Sequence, residues 1–247
     1  MQYIETKGRN NIAYKDNFSK VKNPEITIVF LCGYMSDMEG AKSLFLEEVC
    51  TQNNLGYLAF DYSGHGKSSG DFLDGSISEW TEESIEIINK LVETPIIPIG
   101  SSMGGWISLL ISLQLKNKVK GIINIASAVD FTENLMWNTF TENQKIALEN
   151  ENKITINRGG YDYCVTKKLI EDGRENLLLN GEISIYVPVI LLHGMRDESV
   201  PVENSIKLAA KLSSKNVQII ISKDSDHRMS EEPDLQLLGE SLLKLLD

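Results

Sequence analysis

Positive charge is scarce in this chain. Its 247 residues carry 24 lysines and arginines against 35 aspartates and glutamates, a formal net charge of −11 at pH 7. A surface of that sign argues against a nucleic-acid or anionic-membrane partner, since both need basic groups to release counterions or meet lipid headgroups. Cysteine is sparse and odd in number. Cys32, Cys50 and Cys164 match no metal-ligand spacing and lie in or beside apolar runs, so they read as reduced, buried thiols of an intracellular protein. No apolar run reaches membrane-spanning length, and the amino end opens directly on Tyr3, Ile4 and Glu5 with no charged-then-apolar leader. The expectation is a soluble, cytoplasmic protein. Internal repeats, low-complexity tracts and linkers are missing as well, and this length suits one α/β domain with a large core.

What the chain does have is a regular alternation of apolar runs with helical spacing. Strands are predicted at Ile26 to Leu31, Tyr57 to Phe60, Ile96 to Ile99, Val119 to Val129, Val187 to Leu192 and Val217 to Ile221. Between and after them, helices are predicted from Met38 to Val49, from Ile77 to Val92 behind a Ser76 or Ser78 cap, from the residues after Gly104 to about Lys116, from Ile206 to Leu212, and from Leu235 to Leu246. Strands that are apolar throughout are covered on both faces. Their alternation with helices predicts an α/β fold built on a doubly wound, mostly parallel sheet. Gln2 to Thr6 and Ile12 to Lys15 flank Gly8-Arg9-Asn10-Asn11, which predicts a hairpin at the amino end.

One segment breaks the pattern. From about residue 131 to 185 there is no apolar strand run, only helix-like stretches around Leu135 to Leu148 and Tyr163 to Leu179. An insertion of that length predicts a small helical cap over the site. Its Trp137, Phe140 and Tyr161 are candidates for lining an acyl or aryl pocket, the alternative being that such rings fix the cap to the sheet.

The chemistry centres on Gly100-Ser101-Ser102-Met103-Gly104. An apolar run into Gly-x-Ser-x-Gly, followed by a helical pattern, is a strand-turn-helix elbow with Ser102 at its tip. A serine hydroxyl is a poor nucleophile near neutral pH, so it needs a base, and that base needs an acid to fix its tautomer. The chain holds three histidines. His65 lies in a turn before the elbow strand, and His193 ends an apolar strand where packing and hydrogen bonding are its expected role. His227, in the polar loop after the last strand, is the expected base. Asp197, beyond the Val187 to Leu192 strand, is the first choice of acid, with Asp130 second and Asp226 adjacent to the base. Two preset donors for an oxyanion are expected from the backbone amides of Met103, at the start of the elbow helix, and Tyr34, in the loop after the Ile26 to Leu31 strand. The Tyr34 ring either shapes the pocket or packs under the cap.

With these residues assembled, the chain resembles the α/β-hydrolase superfamily over nearly its whole length, and within it the acyl-glucuronide esterase and palmitoyl-protein thioesterase type known from mitochondria. The likeness rests on five segments in order: Gly33 to Met38, Phe60 to Ser68, Gly100 to Trp106, Leu192 to Asp197 with Val200-Pro201, and Ser225 to Met229. It implies nucleophile Ser102, acid Asp197 and base His227, with oxyanion amides near Tyr34 and Met103. The function expected is a serine hydrolase cleaving esters or thioesters with an apolar or aromatic acyl part, without metal or cofactor. Its substrate would be a small molecule or an S-acylated protein. A peptidase using the same triad, and a non-catalytic binding version of the fold, are the alternatives.

Overall fold

Each predicted apolar run becomes a strand of one eight-stranded sheet. A computed structural model describes the chain apart from Arg9, Gly159, Gly160 and Asp247 and the side chains of Arg158 and Tyr161. In chain order the strands of the main sheet are β1 (Gln2–Glu5), β2 (Asn11–Asp16), β3 (Thr27–Leu31), β4 (Gly56–Phe60), β5 (Ile96–Ser101) and β6 (Ile122–Ile125), followed after the insertion by β9 (Val189–Gly194) and β10 (Val217–Ser222). Their spatial order is β1-β2-β4-β3-β5-β6-β9-β10. β1, β2 and β4 pair antiparallel, and every neighbouring pair from β4 to β10 is parallel. β3 to β6 and β9 are buried along their whole length, as uninterrupted hydrophobicity requires.

The helices follow from local signals. α1 (Ala41–Gln52) starts three residues later than predicted, with Gly40 in extended conformation as its N-cap, while the Met38 N–H is taken by the Asp61 carboxylate at 2.7 Å. α2 (Ile77–Leu91) begins where the Ser76 hydroxyl accepts the Glu79 N–H, and it turns Ile77, Trp80, Ser84, Ile87 and Ile88 into the core. α3 (Met103–Gln114) is buried on all sides from Met103 to Ser112, which its uniformly apolar composition allows. β6 is shorter than predicted, since Ala126 turns out of the strand at φ +47°. Among the described residues no helix is long and apolar enough to cross a membrane.

Sheet order fixes where a site can form. From β3 the chain goes next to β4 on one side, then crosses to β5 on the other, so the loops leaving β3 and β5 diverge and open a crevice at their carboxyl ends. The register sets Leu31 opposite Gly100, which brings the Gly33-Tyr34 loop beside Ser102.

The insertion is not purely helical. After β6 it runs through a π-helical turn (Thr132–Met136), a 3-10 turn (Trp137–Thr139), α4 (Glu142–Glu151), an antiparallel hairpin of β7 (Lys153–Arg158) and β8 (Tyr161–Thr166), and α5 (Lys167–Glu175). α4 starts on a capping box formed by Thr141 and Gln144. The hairpin corrects the expectation of helix over Tyr163 and its neighbours. The signal was present as the alternation Ile154, Ile156 and then Tyr163, Val165, with a Gly159-Gly160 pair in the sequence between them. Two of the ties that fasten the insertion to the rest of the domain lie near its carboxyl end. Asp130, at φ +57°, accepts the N–H groups of Leu178 and Leu179 at 2.9 and 2.8 Å, and the Trp106 indole donates to the Asn176 carbonyl at 3.1 Å.

The elbow leaves no room for side chains at its glycines. A Cβ on Gly104 would lie 2.1 Å from the Leu31 carbonyl oxygen, and one on Gly100 would lie 2.2 Å from the Gly104 carbonyl oxygen. Both obstacles are backbone and cannot rotate away. Gly104→Ala is therefore expected to cost about 3 kcal/mol of stability, read as a lower urea midpoint at unchanged slope.

Candidate active site

Ser102 sits between β5 and α3 at φ +54° and ψ −118°, a conformation that residues with a Cβ adopt only under constraint. Its backbone is held on both sides: its N–H donates to the Ile125 carbonyl, and its carbonyl accepts from the N–H groups of Gly105 and Ala128. The hydroxyl is thereby aimed out of the sheet and partly open to solvent.

Three loops converge on it. The loop after β10 carries His227, whose Nε2 is 3.1 Å from Ser102 Oγ. The loop after β9 carries Asp197, whose Oδ2 is 2.7 Å from His227 Nδ1. Because an ionised carboxylate only accepts, Nδ1 holds the proton and Nε2 presents its lone pair to the serine hydroxyl. The Asp197 side chain is fully buried while that of His227 is 27% exposed, so the carboxylate is sealed and the imidazole stays partly open to solvent. Asp197 Oδ1 accepts the N–H groups of Ser199 and Val200, each at 2.8 Å. Burial by itself would raise this carboxyl. Hydrogen bonds from His193 and His227, the charge of His227 and the Val200 amide outweigh burial and hold it well below the usual carboxylate range.

The acid and base loops are also tied to the frame. The Arg196 N–H donates to the Ser225 carbonyl and the Met195 N–H to that of Ser222. The Asp226 side chain accepts from the N–H groups of Arg228 and Met229, which commits it to shaping the turn around His227. On α1, the Lys42 ammonium donates to the Arg228 carbonyl and to Ser230 Oγ. Asp130, the second choice of acid, has both oxygens occupied by the returning insertion and makes no hydrogen bond to His227.

The remaining histidines have distinct structural environments. His193 is completely buried and ends β9 as expected, with Nδ1 2.7 Å from Ser205 Oγ and Nε2 2.9 Å from the Val200 carbonyl. Its Nε2 also lies 3.2 Å from the same Asp197 oxygen that meets His227, a contact not foreseen from the sequence. The i, i+4 spacing of His193 and Asp197 was the available signal, but it required knowing that the chain folds back between them. His65 Nδ1 faces the Ser63 carbonyl at 3.2 Å and so carries the proton, leaving Nε2 to accept the Met35 N–H at 3.3 Å.

The loop after β3 presses against the serine, since a Cβ on Gly33 would lie 3.3 Å from Ser102 Cβ. Among the described residues no acceptor is found for the backbone N–H of Tyr34 or of Met103. Both are thus free donors: Met103 directly follows Ser102 at the start of α3, where the helix dipole adds positive potential, and Tyr34 follows Gly33, which abuts Ser102. Of the rings expected in a pocket, Trp137 and Phe140 pack edge to face against each other. Arg174 and Lys145 cover Trp137 at 4.5 and 5.5 Å from its ring centroid. These contacts assemble the insertion itself, and neither ring meets the His227 imidazole. The Tyr161 side chain lies outside the described residues.

The crossover at β3, the glycine-bounded elbow and the loops converging from β5, β9 and β10 define an α/β hydrolase. The chain belongs to the prolyl oligopeptidase family, whose model matches residues 47–236. It is 37% identical over 240 residues to the mitochondrial palmitoyl-protein thioesterase ABHD10 of Rattus norvegicus, covering 96% of this chain and 79% of the rat protein. The solved structure of mouse α/β hydrolase domain-containing protein 10 superposes with a TM-score of 0.90 at 32% identity, covering 100% of this chain and 98% of that one. A solved structure from Agrobacterium vitis S4 reaches 0.93 at 31% identity with the same coverage.

Two buried groups separate the acid response into two windows. Burial pushes the His65 imidazole down to about 4, with the Ser63 carbonyl acting in the opposite sense. The unfolded chain takes up a proton there from about pH 6.5 downward, so the stability due to neutral His65 is full above that pH and falls by about 3 kcal/mol as pH drops to about 4. Asp197 contributes fully above about pH 3.9 and loses its share only below it. Urea midpoints measured from pH 7 to 3 should fall in both windows for the wild type. In His65→Gln only the lower one should remain.

Proposed function

We propose that this protein is a serine hydrolase acting by acyl transfer on carboxylic esters or thioesters. The observation that carries the reading is the relay from Ser102 Oγ to His227 at 3.1 Å and from His227 to Asp197 at 2.7 Å, with the acid buried and ionised. His227 Nε2 takes the hydroxyl proton as Oγ bonds to the acyl carbon, and Asp197 stabilises the imidazolium. The oxyanion forms beside the unpaired N–H groups of Tyr34 and Met103, where each donor is worth roughly a hundredfold or more in rate. The imidazolium then protonates the departing alkoxide or thiolate, and water repeats the cycle to release the acid. None of these steps draws on a metal or cofactor.

The likeness to thioesterases supports thioesters among the substrates, small molecules or S-acylated proteins. The family model, named for a peptidase, favours small peptides or amides as a second reading, because the same relay serves an amide when the walls recognise a peptide backbone.

The test is intact mass after incubation with a fluorophosphonate, then rates on paired oxygen and sulfur esters of graded acyl length and on aminoacyl amides. One adduct on Ser102 is expected, with turnover of esters or thioesters exceeding that of amides. Absence of the adduct in folded protein would mean a binding protein. Ser102→Ala is expected to lose at least about 10³-fold in kcat with an unchanged circular dichroism spectrum, and Asp197→Asn about 10³- to 10⁴-fold.

A further inference from the structure

Tyr34 is engaged at both ends. Its N–H has no acceptor among the described residues and follows Gly33, which abuts Ser102, while its side chain reaches β8 of the insertion. The ring is enclosed by Phe72, Phe131 and Trp80 with centroids 4.9, 5.7 and 6.1 Å away, and it stacks on Tyr163 of β8 at 6.3 Å with an interplanar angle of 18°. Its hydroxyl donates to the Cys164 carbonyl at 2.5 Å. Among the described residues the β7–β8 hairpin has no third strand, so β8 has an outer edge, and the tyrosine takes a carbonyl of that strand. Burial holds the phenol well above its ordinary range, so it remains a donor throughout the working pH range.

The rest of the Gly33 to Met38 loop is gripped from the sheet side alone. The Met35 N–H goes to His65 Nε2 and the Met38 N–H to Asp61, both partners lying at or just after the end of β4. Met35 has φ +56°, a left-handed conformation that a residue with a side chain keeps only when it is held. Tyr34 is one residue before it, and its hydrogen bond to Cys164 links this loop directly to the hairpin.

We propose that the Tyr34 hydroxyl is a positioning group that couples the hairpin of the cap to the oxyanion site. With the hairpin seated, the phenol is anchored and the Tyr34 N–H points at the space beside Ser102 Oγ. When the hairpin lifts, the anchor goes with it and that donor loses its aim, while the Met103 N–H, fixed by α3, keeps its own. The cap thereby sets the rate of the chemical step as well as access to it. This rests on the reading of Ser102 as nucleophile.

Tyr34→Phe tests it, because the substitution keeps the ring and the amide and removes only the hydroxyl. On a short nitrophenyl ester too small to depend on the cap for binding, kcat per fluorophosphonate-titrated site is expected to fall about tenfold, with KM within about twofold. That is less than the loss of a whole oxyanion donor. The rate of fluorophosphonate labelling should fall in parallel, and amide hydrogen exchange in β7 and β8 should speed up. A purely structural hydroxyl would lower the melting temperature and leave kcat per titrated site unchanged, which would overturn the coupling. A tenfold rise in KM at constant kcat would overturn it too, by making the hydroxyl a substrate contact. Wild-type protein that takes no label would instead overturn the nucleophile assignment, and the coupling with it.

Discussion

Ser102 at φ +54° and ψ −118° is the constraint around which the other parts are arranged. That backbone is disfavoured for any residue with a Cβ, and it survives because its neighbours leave no alternative. Gly100 and Gly104 let strand, turn and helix approach at distances that exclude side chains, and the Ile125 carbonyl and the Ala128 N–H clamp the serine from the next strand and the loop beyond it. The turn points the hydroxyl away from the sheet at the crevice where β3 and β5 diverge. His227, Asp197 and the Gly33-Tyr34 loop reach that point from the strand ends that surround it.

Three carboxylates at or just beyond strand ends show how similar residues take different roles. Asp61 after β4, Asp130 after β6 and Asp197 after β9 each accept two backbone N–H groups and each stiffen a loop. Burial dominates for Asp61 and Asp130 and raises both carboxyls, with the amides acting against it. Asp197 alone also faces imidazoles, His193 and His227, and they reverse the balance. A carboxylate becomes suited to orienting a histidine when amides fix it and its other partners are imidazoles.

The insertion is a unit with its own internal contacts, laid over the sheet's carboxyl end. Its hydrogen bonds to the rest of the domain include those of Asp130 to Leu178 and Leu179, Trp106 to Asn176, Tyr34 to Cys164, and Ser78 to Asp172 and Asn176. Its interior is held by its own pairs, Trp137 with Phe140 beneath Arg174 among them. Such a unit can change its lining without disturbing the relay below. Relatives that share the frame can therefore differ in what they cleave, and the frame carries mechanism better than it carries substrate.

The sequence by itself determined the alternation of buried strands and helices, the elbow at Ser102, a serine cap for α2 at Ser76 or Ser78, and the place of His227 in the last polar loop. All of these are local, written in periodicity, turn chemistry and order along the chain. The hairpin at β7 and β8 was legible only in part, because alternation over so few residues beside helical neighbours is a weak signal. The sequence ranked Asp197 ahead of Asp130 without excluding either, and tertiary structure put Asp197 against His227; tertiary structure alone decided that His193 shares the same oxygen and that the Tyr34 phenol ends on Cys164. Those outcomes depend on which strands lie side by side and how loops far apart in sequence face each other. Distances across a sheet are set by strand order and register, which no local pattern encodes.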